Sequence, residues 1–213
     1  EVRYRQLVNA IKMVYASVFS VAVRRYVANT NFRVEEERMA VLIQRVVGHR
    51  HQDHFYPTVS GVAQSYNFYP LSHLKPEDGV VFMALGLGKA LGESNRVFRF
   101  SPAHPSVNPG MRTPRELLAR TQKQFYALKL GEIPKPIGSD EGTGLETLGL
   151  DIADKDRILT MVSSAVSVEN GTMDDSPFAA GKRVINFSPL LRNRFFPFCD
   201  LVDRLLKLGE QAV

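Results

Sequence analysis

The amino-acid sequence predicts an α+β fold in which an antiparallel-rich sheet is flanked by helices. Apolar runs of strand character follow one another between short loops, without the regular strand–helix alternation that a doubly wound parallel sheet requires. Apolar residues recur at helical spacing near both ends of the chain, at 4–27 and 198–208, which supplies the flanking helices. These two observations favour the antiparallel class over the parallel one.

The first half of the chain carries the clearest strand patterns. The run 39–47 is apolar and rich in β-branched residues, which predicts a buried strand, and a polar loop follows at 48–53. The later strands are bounded by prolines and glycines, which interrupt regular structure. The strands predicted in this half are 39–47, 58–69, 80–85 and 96–101.

A proline-rich stretch after residue 101 marks a change within the predicted domain. We expect residues 1–102 to form its core and residues 103–213 to continue the same domain. Thr113 and Glu116 form a capping box with Pro114 at the first helical position, so a helix is expected from there to about residue 128. The other elements predicted here are a mobile glycine-rich loop near 131–149 and strands at 158–168 and 183–188.

Composition places the chain among globular domains. It has 213 residues, of which 44% are hydrophobic and 23% charged, enough for one sizeable core. The longest uninterrupted apolar runs fall short of the roughly 20 residues that a membrane helix needs, so we expect no membrane partner. Cys199 is the single cysteine, which excludes an internal disulfide and agrees with a cytoplasmic location.

The net charge bears on the class of ligand. It is +5 at pH 7, yet arginines and lysines are scattered and form no run longer than two residues. A nucleic-acid interface would concentrate them on one face or segment, so the sequence argues against a nucleic-acid partner. A nucleotide or phosphate ligand suits a mildly basic chain.

Three histidines lie close together in the polar loop at 48–53 and just beyond it. His49, His51 and His54, with Asp53 beside them, are competent metal ligands, and a solvated loop between two strands is the favoured alternative. The other aspartates fall in loop-like segments, where capping and turn roles are the simpler interpretation. We therefore predict no catalytic acid, base or nucleophile and no metal ligand.

Glycines after the buried run 80–85 are the most informative feature. Gly86 and Gly88 follow that strand directly, where a turn needs positive φ, and Gly61 allows close backbone approach within a strand. Such a turn can hold phosphate oxygens with backbone donors. Taken alone, it can equally be a tight turn without a ligand.

The order of four segments gives this turn more weight. A helix carrying Ile11-Lys12-Met13-Val14-Tyr15-Ala16-Ser17-Val18-Phe19-Ser20 precedes the run 39–47 with its Gln44, then Ser60-Gly61-Val62, then Gly86-Leu87-Gly88. This order resembles the ATP-grasp-type nucleotide-binding domain at the N-terminus of phosphoenolpyruvate synthase and pyruvate phosphate dikinase. The resemblance is clear over 7–102 and looser to the end of the chain.

The resemblance implies a cytoplasmic phosphotransferase as the parent protein. The parent would use ATP and Mg²⁺ to phosphorylate a histidine on a mobile domain and then pass the phosphoryl group to pyruvate. The remaining domains of that polypeptide would be its partners, and a homo-oligomer is left open. This chain alone would require no cofactor. Its implied nucleotide contacts are Gln44, Ser60, Gly61, Gly86, Gly88 and Lys89.

Two residues depart from the family pattern, and several motifs are missing. Lys89 stands where the family's turn normally has Glu, and Asn67 where it often has an acid. The family's cationic phosphate-binding segments and its metal-binding carboxylates do not occur in the sequence. We therefore expect a piece of a larger protein, inactive alone. The alternative is a non-catalytic, degenerate ATP-grasp module with a regulatory or partner-docking role.

Overall fold

The computed structural model describes most of the chain, in two units. The first unit comprises Glu1–Val46 with Glu132–Gly144, and the second comprises Val47–Gly131 with Leu145–Val213. Most of the glycine-rich loop predicted near 131–149 lies outside the described residues, and the boundary predicted at 102 stays a prediction. The described residues are 1–30, 33, 36, 38–71, 73–93, 96–105, 113–131, 144–192 and 196–211.

The first unit contains the N-terminal helices. The sequence predicted one helix over 4–27, and the structure has two, α1 (Val2–Ala16) and α2 (Val21–Ala28), joined by a 3₁₀ turn, Ser17–Phe19. Ser20 separates them because its backbone is extended, with ψ 157°, and its side-chain oxygen accepts from Val23 N at 3.4 Å as the cap of α2.

Neither N-terminal helix has a buried residue. By length and apolar composition, Val2–Ala28 is the one segment of the described chain that could cross a membrane. The sequence prediction was based on uninterrupted apolar runs, whereas polar and charged residues interrupt the apolar segment Val2–Ala28. Length and composition alone are weak evidence, since core helices of water-soluble domains share them, and the absence of a membrane partner stays a prediction.

The buried strand predicted at 39–47 is wrong. Residues 38–48 have no regular secondary structure, and no strand within the described ranges pairs with them. Leu42 and Val47 are 81% and 79% exposed. Strand propensity reflects packing against neighbouring strands, so an apolar β-branched run does not form a strand where no strand pairs with it.

The second unit holds all the strands found in the described residues. Its helices are α3 (Ala90–Glu93), α4 (Pro114–Arg120), α5 (Leu150–Lys155), α6 (Leu159–Val162), α7 (Ser188–Leu191) and α8 (Phe198–Gln211), with a 3₁₀ turn at Pro76–Asp78. Its strands are β1 (His49–His51), β2 (His54–Tyr56), β3 (Ser60–Gln64), β4 (Val80–Ala84), β5 (Phe98–Phe100), β6 (Gln124–Lys129), β7 (Leu145–Gly149), β8 (Ser163–Ser167), β9 (Thr172–Asp174) and β10 (Lys182–Ile185).

These strands form three antiparallel sheets. Their orders are β1-β2-β6-β7, β3-β4-β5 and β10-β8-β9. Every strand pair is antiparallel, which confirms the predicted class, and helices of the same unit flank the sheets. An isolated parallel bridge between Gly86 and Tyr126 connects the end of β4 to β6. The first two sheets therefore meet at the glycines that the sequence singled out.

One main core lies beneath that meeting point. Phe125 of β6 and Tyr56 of β2 are fully buried, with ring centroids 4.8 Å apart. Met83 of β4, Phe187 before α7 and Val202 of α8 belong to the same cluster. The C-terminal helix expected over 198–208 is present as α8, but of its predicted apolar stripe only Val202 is buried in this core, while Leu201, Leu205 and Leu208 are exposed.

The helix predicted from Pro114 to about residue 128 is half right. Its capping box is present, with Thr113 and Glu116 bonded to each other's backbone N–H at 3.3 Å. The helix ends at Arg120 because the Thr121 hydroxyl accepts from Ile185 N at 2.8 Å and donates to Ile185 O at 3.1 Å. β6 follows, with Phe125 and Ala127 buried in alternation.

Candidate functional site

The candidate site is built around the glycine turn, which we define as Gly86, Leu87 and Gly88. The turn leaves the buried strand β4, and Ser60 at the start of neighbouring β3 reaches it. The Ser60 hydroxyl donates to Gly86 O at 2.6 Å. The Ser60–Gly61 motif and the glycine turn, which are 26 residues apart in the chain, are thus parts of one structure.

Gly86 is required by its conformation and by its neighbours. Its φ is +81°, and an added Cβ would lie 2.6 Å from Tyr126 O and 2.8 Å from the Phe125 ring. The approach is close because Leu87 N donates to Tyr126 O at 2.8 Å. Only glycine combines positive φ with such contact, so the turn is fixed tightly on β6.

Gln122 holds the other side of the turn. Its Oε1 accepts from Leu85 N at 2.9 Å, and its Nε2 donates to Leu85 O at 3.0 Å and to Gln124 O at 2.9 Å. The residue is only 6% exposed. Sequence reasoning missed Gln122, because nothing in its local pattern shows that its partner lies 37 residues earlier.

Lys89 follows the glycine turn and lies over an aromatic ring. Its Nζ is 5.1 Å from the centroid of Tyr126, a cation–π arrangement. The backbone then enters α3, with Leu91 N bonded to Gly88 O at 3.0 Å and Gly92 N to Lys89 O at 3.2 Å. Lys89 is exposed, so its ammonium group lies at the surface beside the turn.

A cavity of about 210 Å³ adjoins these residues. Its walls come from the end of β4, from α3 and from β6 and β7, and its charged lining residues are Arg96 and Lys123. No carboxylate occurs among the described residues that line it. The other lining residues are Ala84, Ala90, Val97, Gln122, Gln124, Tyr126 and Thr147.

The structure brings together most of the predicted site residues. Gly86 and Gly88 form the turn, Ser60 bonds to it, and Lys89 follows it. A Cβ on Gly88 would make only ordinary contacts, the nearest at 3.7 Å. Gly61 permits close strand pairing, since its Cβ would lie 2.9 Å from Phe82 O.

Gln44 stands apart from this group. It is exposed, has no regular structure around it, and belongs to the first unit. Whether it or the other predicted residues contact nucleotide stays a prediction.

Asn67, the second departure from the family pattern, organises a loop. It is 3% exposed, and its Oδ1 accepts from Tyr69 N at 3.1 Å and from Arg99 Nη2 at 2.8 Å. Arg99 also donates to Tyr69 O at 2.6 Å. The neutral amide therefore has a structural role in holding the segment after β3 against β5.

The histidine-rich segment forms a hairpin of β1 and β2, where the sequence predicted a polar loop. Its three histidines belong to separate environments: His49 is exposed, while His51 and His54 contact different carboxylates. Within the described ranges, no group of three or more His, Cys, Asp or Glu is placed to hold a metal ion. The metal interpretation of this segment has no support.

These carboxylates have distinct surroundings. His54 Nε2 lies 2.9 Å from Glu146 Oε2, and Lys129 Nζ lies 2.9 Å from Glu146 Oε1. Hydrogen bonds from Lys129 and then His54 lower the pKa of Glu146. Asp156 accepts from the Tyr56 hydroxyl, and burial together with that carboxylate raises the pKa of Tyr56.

Comparison with known protein families decides the assignment. The family described as pyruvate phosphate dikinase, AMP/ATP-binding domain, matches residues 2–126, more than half of the chain. The chain belongs to this family. It is thus an ATP-binding domain of a kinase and phosphotransferase family, with an ATP-grasp-like fold. Searches of curated proteins and of solved structures gave no match.

The family match includes nearly all of the candidate site. Ser60, the glycine turn, Lys89, Arg96 and Gln122 fall within residues 2–126. Of the described residues that line the cavity, only Thr147 of β7 lies beyond the match. The site therefore belongs to the ATP-binding domain that the family defines.

Proposed function

We propose that this chain is a nucleotide-binding part of a phosphotransferase of the phosphoenolpyruvate synthase type. The parent protein would use ATP and Mg²⁺ to phosphorylate a histidine on another domain and then pyruvate. The observation that carries the proposal is the glycine turn inside the family match, fixed by Ser60 and Gln122 beside a cavity with cationic walls.

The role of this chain in that reaction is binding. Phosphoryl transfer depends on positioned cations around the phosphates, and Lys89, Arg96 and Lys123 supply positive charge beside the turn. The described residues that line the cavity include no His, Cys, Asp or Glu, and we assign none of them a role as general acid, base or nucleophile. We therefore expect the chain alone to bind ATP without phosphorylating pyruvate.

Magnesium does not fit the described residues. Mg²⁺ needs oxygen ligands, usually carboxylates together with phosphate oxygens, and the described cavity walls offer cations. The metal would have to be held by other parts of the parent protein. No step at this site is assigned to it.

Isothermal titration of the purified chain with ATP tests the proposal. We expect saturable binding with Kd below about 1 mM, equivalent to about 4 kcal/mol, and no conversion of pyruvate in a coupled assay. Lys123→Ala should weaken ATP binding, because Lys123 is exposed and lines the cavity. Lys182→Ala, an exposed lysine on β10 that does not line the cavity, is the matched control.

Absence of saturable ATP binding would contradict the proposal. Phosphorylation of pyruvate by the chain alone would contradict the binding-only role. Equal losses from Lys123→Ala and Lys182→Ala would show that the cavity is not where ATP binds.

Lys89 also favours a second candidate, a non-catalytic module that senses nucleotide or docks a partner. A lysine cannot ligate a metal, so a site with Lys89 in place of an acid is consistent with loss of phosphoryl transfer. The sequence that flanks this chain in its parent discriminates. An acidic strand followed by a phosphohistidine domain supports the enzyme, and their absence supports the module.

The location and partners of the parent protein are also proposals. We place the parent in the cytoplasm, consistent with a single buried cysteine, Cys199. The apolar segment Val2–Ala28 lies inside the family match, which favours a domain helix over a membrane anchor. A nucleic-acid partner has no support from a clustered basic face, and homo-oligomerisation stays open.

A further inference from the structure

A second opening in the same unit is a groove of about 640 Å³ between β3 and the C-terminal helix α8. One wall is the end of β3 with the loop that follows it, and the other wall is the last part of α8. None of the described residues that line this groove also lines the cavity beside the glycine turn. The groove is therefore a separate candidate site.

Strand β3 presents an unprotected edge at this groove. Among the described strands it pairs with β4 alone, and its residues from Gly61 to Gln64 are exposed. Edge strands are commonly protected against further pairing by charged side chains, proline or a bulge. β3 has no charged residue and no proline, and its five residues pair with β4 in unbroken register. Such an edge accepts another extended chain through backbone hydrogen bonds.

Two exposed aromatic rings continue the same wall. Tyr66 and Phe68 are 47% and 73% exposed, and their ring centroids lie 5.0 Å apart in an edge-to-face arrangement. Asn67 between them is buried, its backbone N–H donates to Pro76 O at 2.8 Å, and its Oδ1 accepts from Arg99 at 2.8 Å. The backbone that carries the rings is fixed before a partner binds, which lowers the cost of ordering them.

The opposite wall combines an apolar surface with one carboxylate. Leu205 is 64% exposed, and Glu210 is the single charged residue among the described residues that line the groove. Lys207, the lysine of α8, bonds to Asp203 at 2.6 Å. Charge complementarity therefore favours a cation in the groove, and a guanidinium suits both a carboxylate and an aromatic face.

We propose that this groove binds an extended segment of a partner protein in which an arginine is flanked by apolar side chains. The segment adds to β3 as a further strand. Because side chains alternate along a strand, the arginine and the residues two positions away face the groove together. The apolar side chains contact Leu205, and the guanidinium reaches Glu210 and the aromatic pair.

Fluorescence anisotropy with synthetic peptides tests the proposal on the purified chain. The probe is a labelled seven-residue peptide with a central arginine, valines two positions to either side and threonines elsewhere. The comparison peptide has citrulline in place of the arginine, which keeps the shape and removes the charge. We expect the arginine peptide to bind with Kd below about 1 mM. The citrulline peptide should bind roughly five-fold more weakly, about the effect of an exposed ion pair with a cation–π contact.

Variants of the chain identify the residues responsible. Glu210→Gln should bring the two peptides to within about two-fold of each other, since only the aromatic contact still favours arginine. Glu169→Gln removes an exposed carboxylate outside the groove and should leave the ratio unchanged. Phe68→Ala should weaken both peptides. All three side chains are exposed, so circular dichroism melting should match the wild-type chain.

Backbone methylation of the peptide tests the strand addition. Only alternate N–H groups of a strand face a given neighbour. Two versions of the arginine peptide, each methylated at one set of alternate backbone nitrogens, should therefore differ, and one of them should not bind.

Each outcome decides a part of the proposal. No binding of the arginine peptide overturns it, and equal binding of the citrulline peptide overturns the cationic partner. Equal effects of Glu210→Gln and Glu169→Gln overturn the role of Glu210, and binding of both methylated peptides overturns the strand addition. A dimer in sedimentation that Phe68→Ala dissociates, without peptide binding, overturns the peptide and assigns the groove to a second copy. ATP binding is measured separately, so the proposed function stands or fails independently.

Discussion

Two polar regions of the second unit are built in opposite ways. Around the glycine turn, Ser60 and Gln122 bond to backbone and fix its shape, while the charged groups stand around a cavity. Near α7, a carboxylate is buried among side chains that all bond to it or to each other. In the first region the charged side chains lie beside a cavity. In the second region the charged carboxylate is buried and accepts hydrogen bonds from neighbouring side chains.

The second region is the Asp175 network, formed by Ser164, Asp175, Asn186, Ser188 and Arg192. Asp175 is 6% exposed and accepts from the Ser164 hydroxyl, from the Ser188 hydroxyl at 2.8 Å and from Arg192 Nη1 at 2.9 Å. Asn186 Nδ2 donates to Ser164 Oγ at 2.7 Å. Such mutual satisfaction is what a buried carboxylate needs to be tolerated.

The family match divides the same two regions. The glycine turn lies within residues 2–126, and the Asp175 network lies beyond them. We therefore expect changes at the turn to affect both stability and nucleotide binding, and changes in the network to affect stability alone. Mutations can test this separation directly.

Gly86→Ala should have the largest effect. A side chain at φ +81° costs about 1–3 kcal/mol, and a Cβ 2.6 Å from Tyr126 O must displace the turn from β6. We expect a loss of about 3 kcal/mol or more in the free energy of unfolding by urea, together with loss of ATP binding.

Gly92→Ala is the matched control for that change. Gly92 lies in α3, its φ is not positive, and a Cβ added there would meet no other atom within 4 Å. Alanine at this position should be neutral or stabilise by up to about 1 kcal/mol. The comparison between the two regions fails if Gly86→Ala retains full ATP affinity.

The sequence could predict the turn but not what fixes it. The strand β4, the capping box at Thr113 and the glycines after β4 all carry local signals, and the structure has each of them. Gln122 gave no signal because its partner Leu85 is 37 residues away. A local pattern specifies a conformation, and long-range hydrogen bonds are set only by the fold.

The wrong predictions have the same cause. The helix expected to reach about residue 128 ends early because Thr121 bonds to Ile185, 64 residues later. The run 39–47 has strand composition, yet no strand in the described residues pairs with it. For the aspartates in loop-like segments, the sequence predicted only capping and turn roles. Nothing in the local pattern shows that the Ser164 and Ser188 hydroxyls both donate to the Asp175 carboxylate.

Asp175→Ala should have an intermediate effect on the free energy of unfolding, and it tests whether the Asp175 network affects stability alone. It removes the acceptor of the half-buried Ser188 hydroxyl and one of the two acceptors of the Ser164 hydroxyl, which keeps Asn186 Oδ1 at 3.0 Å. An unsatisfied buried group costs about 1–3 kcal/mol. We expect a loss of about 2 kcal/mol in the free energy of unfolding, with ATP affinity in calorimetry unchanged.

The control for this change is Glu169→Ala. Glu169 is exposed in the turn between β8 and β9, where surface substitutions stay within about 0.5 kcal/mol. Weaker ATP binding in Asp175→Ala, with Glu169→Ala unchanged, would mean that the network serves the site as well as the fold.

Glu146→Gln should have the smallest effect and tests whether a carboxylate adjacent in sequence to the cavity wall acts on the cavity. Glu146 precedes Thr147 of the cavity wall, but Lys129 and His54 bond to it. Their hydrogen bonds lower the pKa of Glu146 below the usual 4.5, so its stabilisation is present above pH 4.5 and is lost as the pH falls through the lowered pKa.

We therefore expect the difference in unfolding free energy between the wild-type chain and Glu146→Gln to depend on pH. The carboxylate is 34% exposed and screened by solvent, so the wild-type advantage at pH 5 should be below about 1 kcal/mol, vanish towards pH 3, and shrink in high salt. Urea unfolding across this range measures it, with Glu169→Gln as control. ATP affinity should stay unchanged, because Lys129 already balances this charge. An increase in ATP affinity would show that the Glu146 carboxylate influences the cavity. The cavity could then no longer be contrasted with the Asp175 network as a site whose charges are all positive.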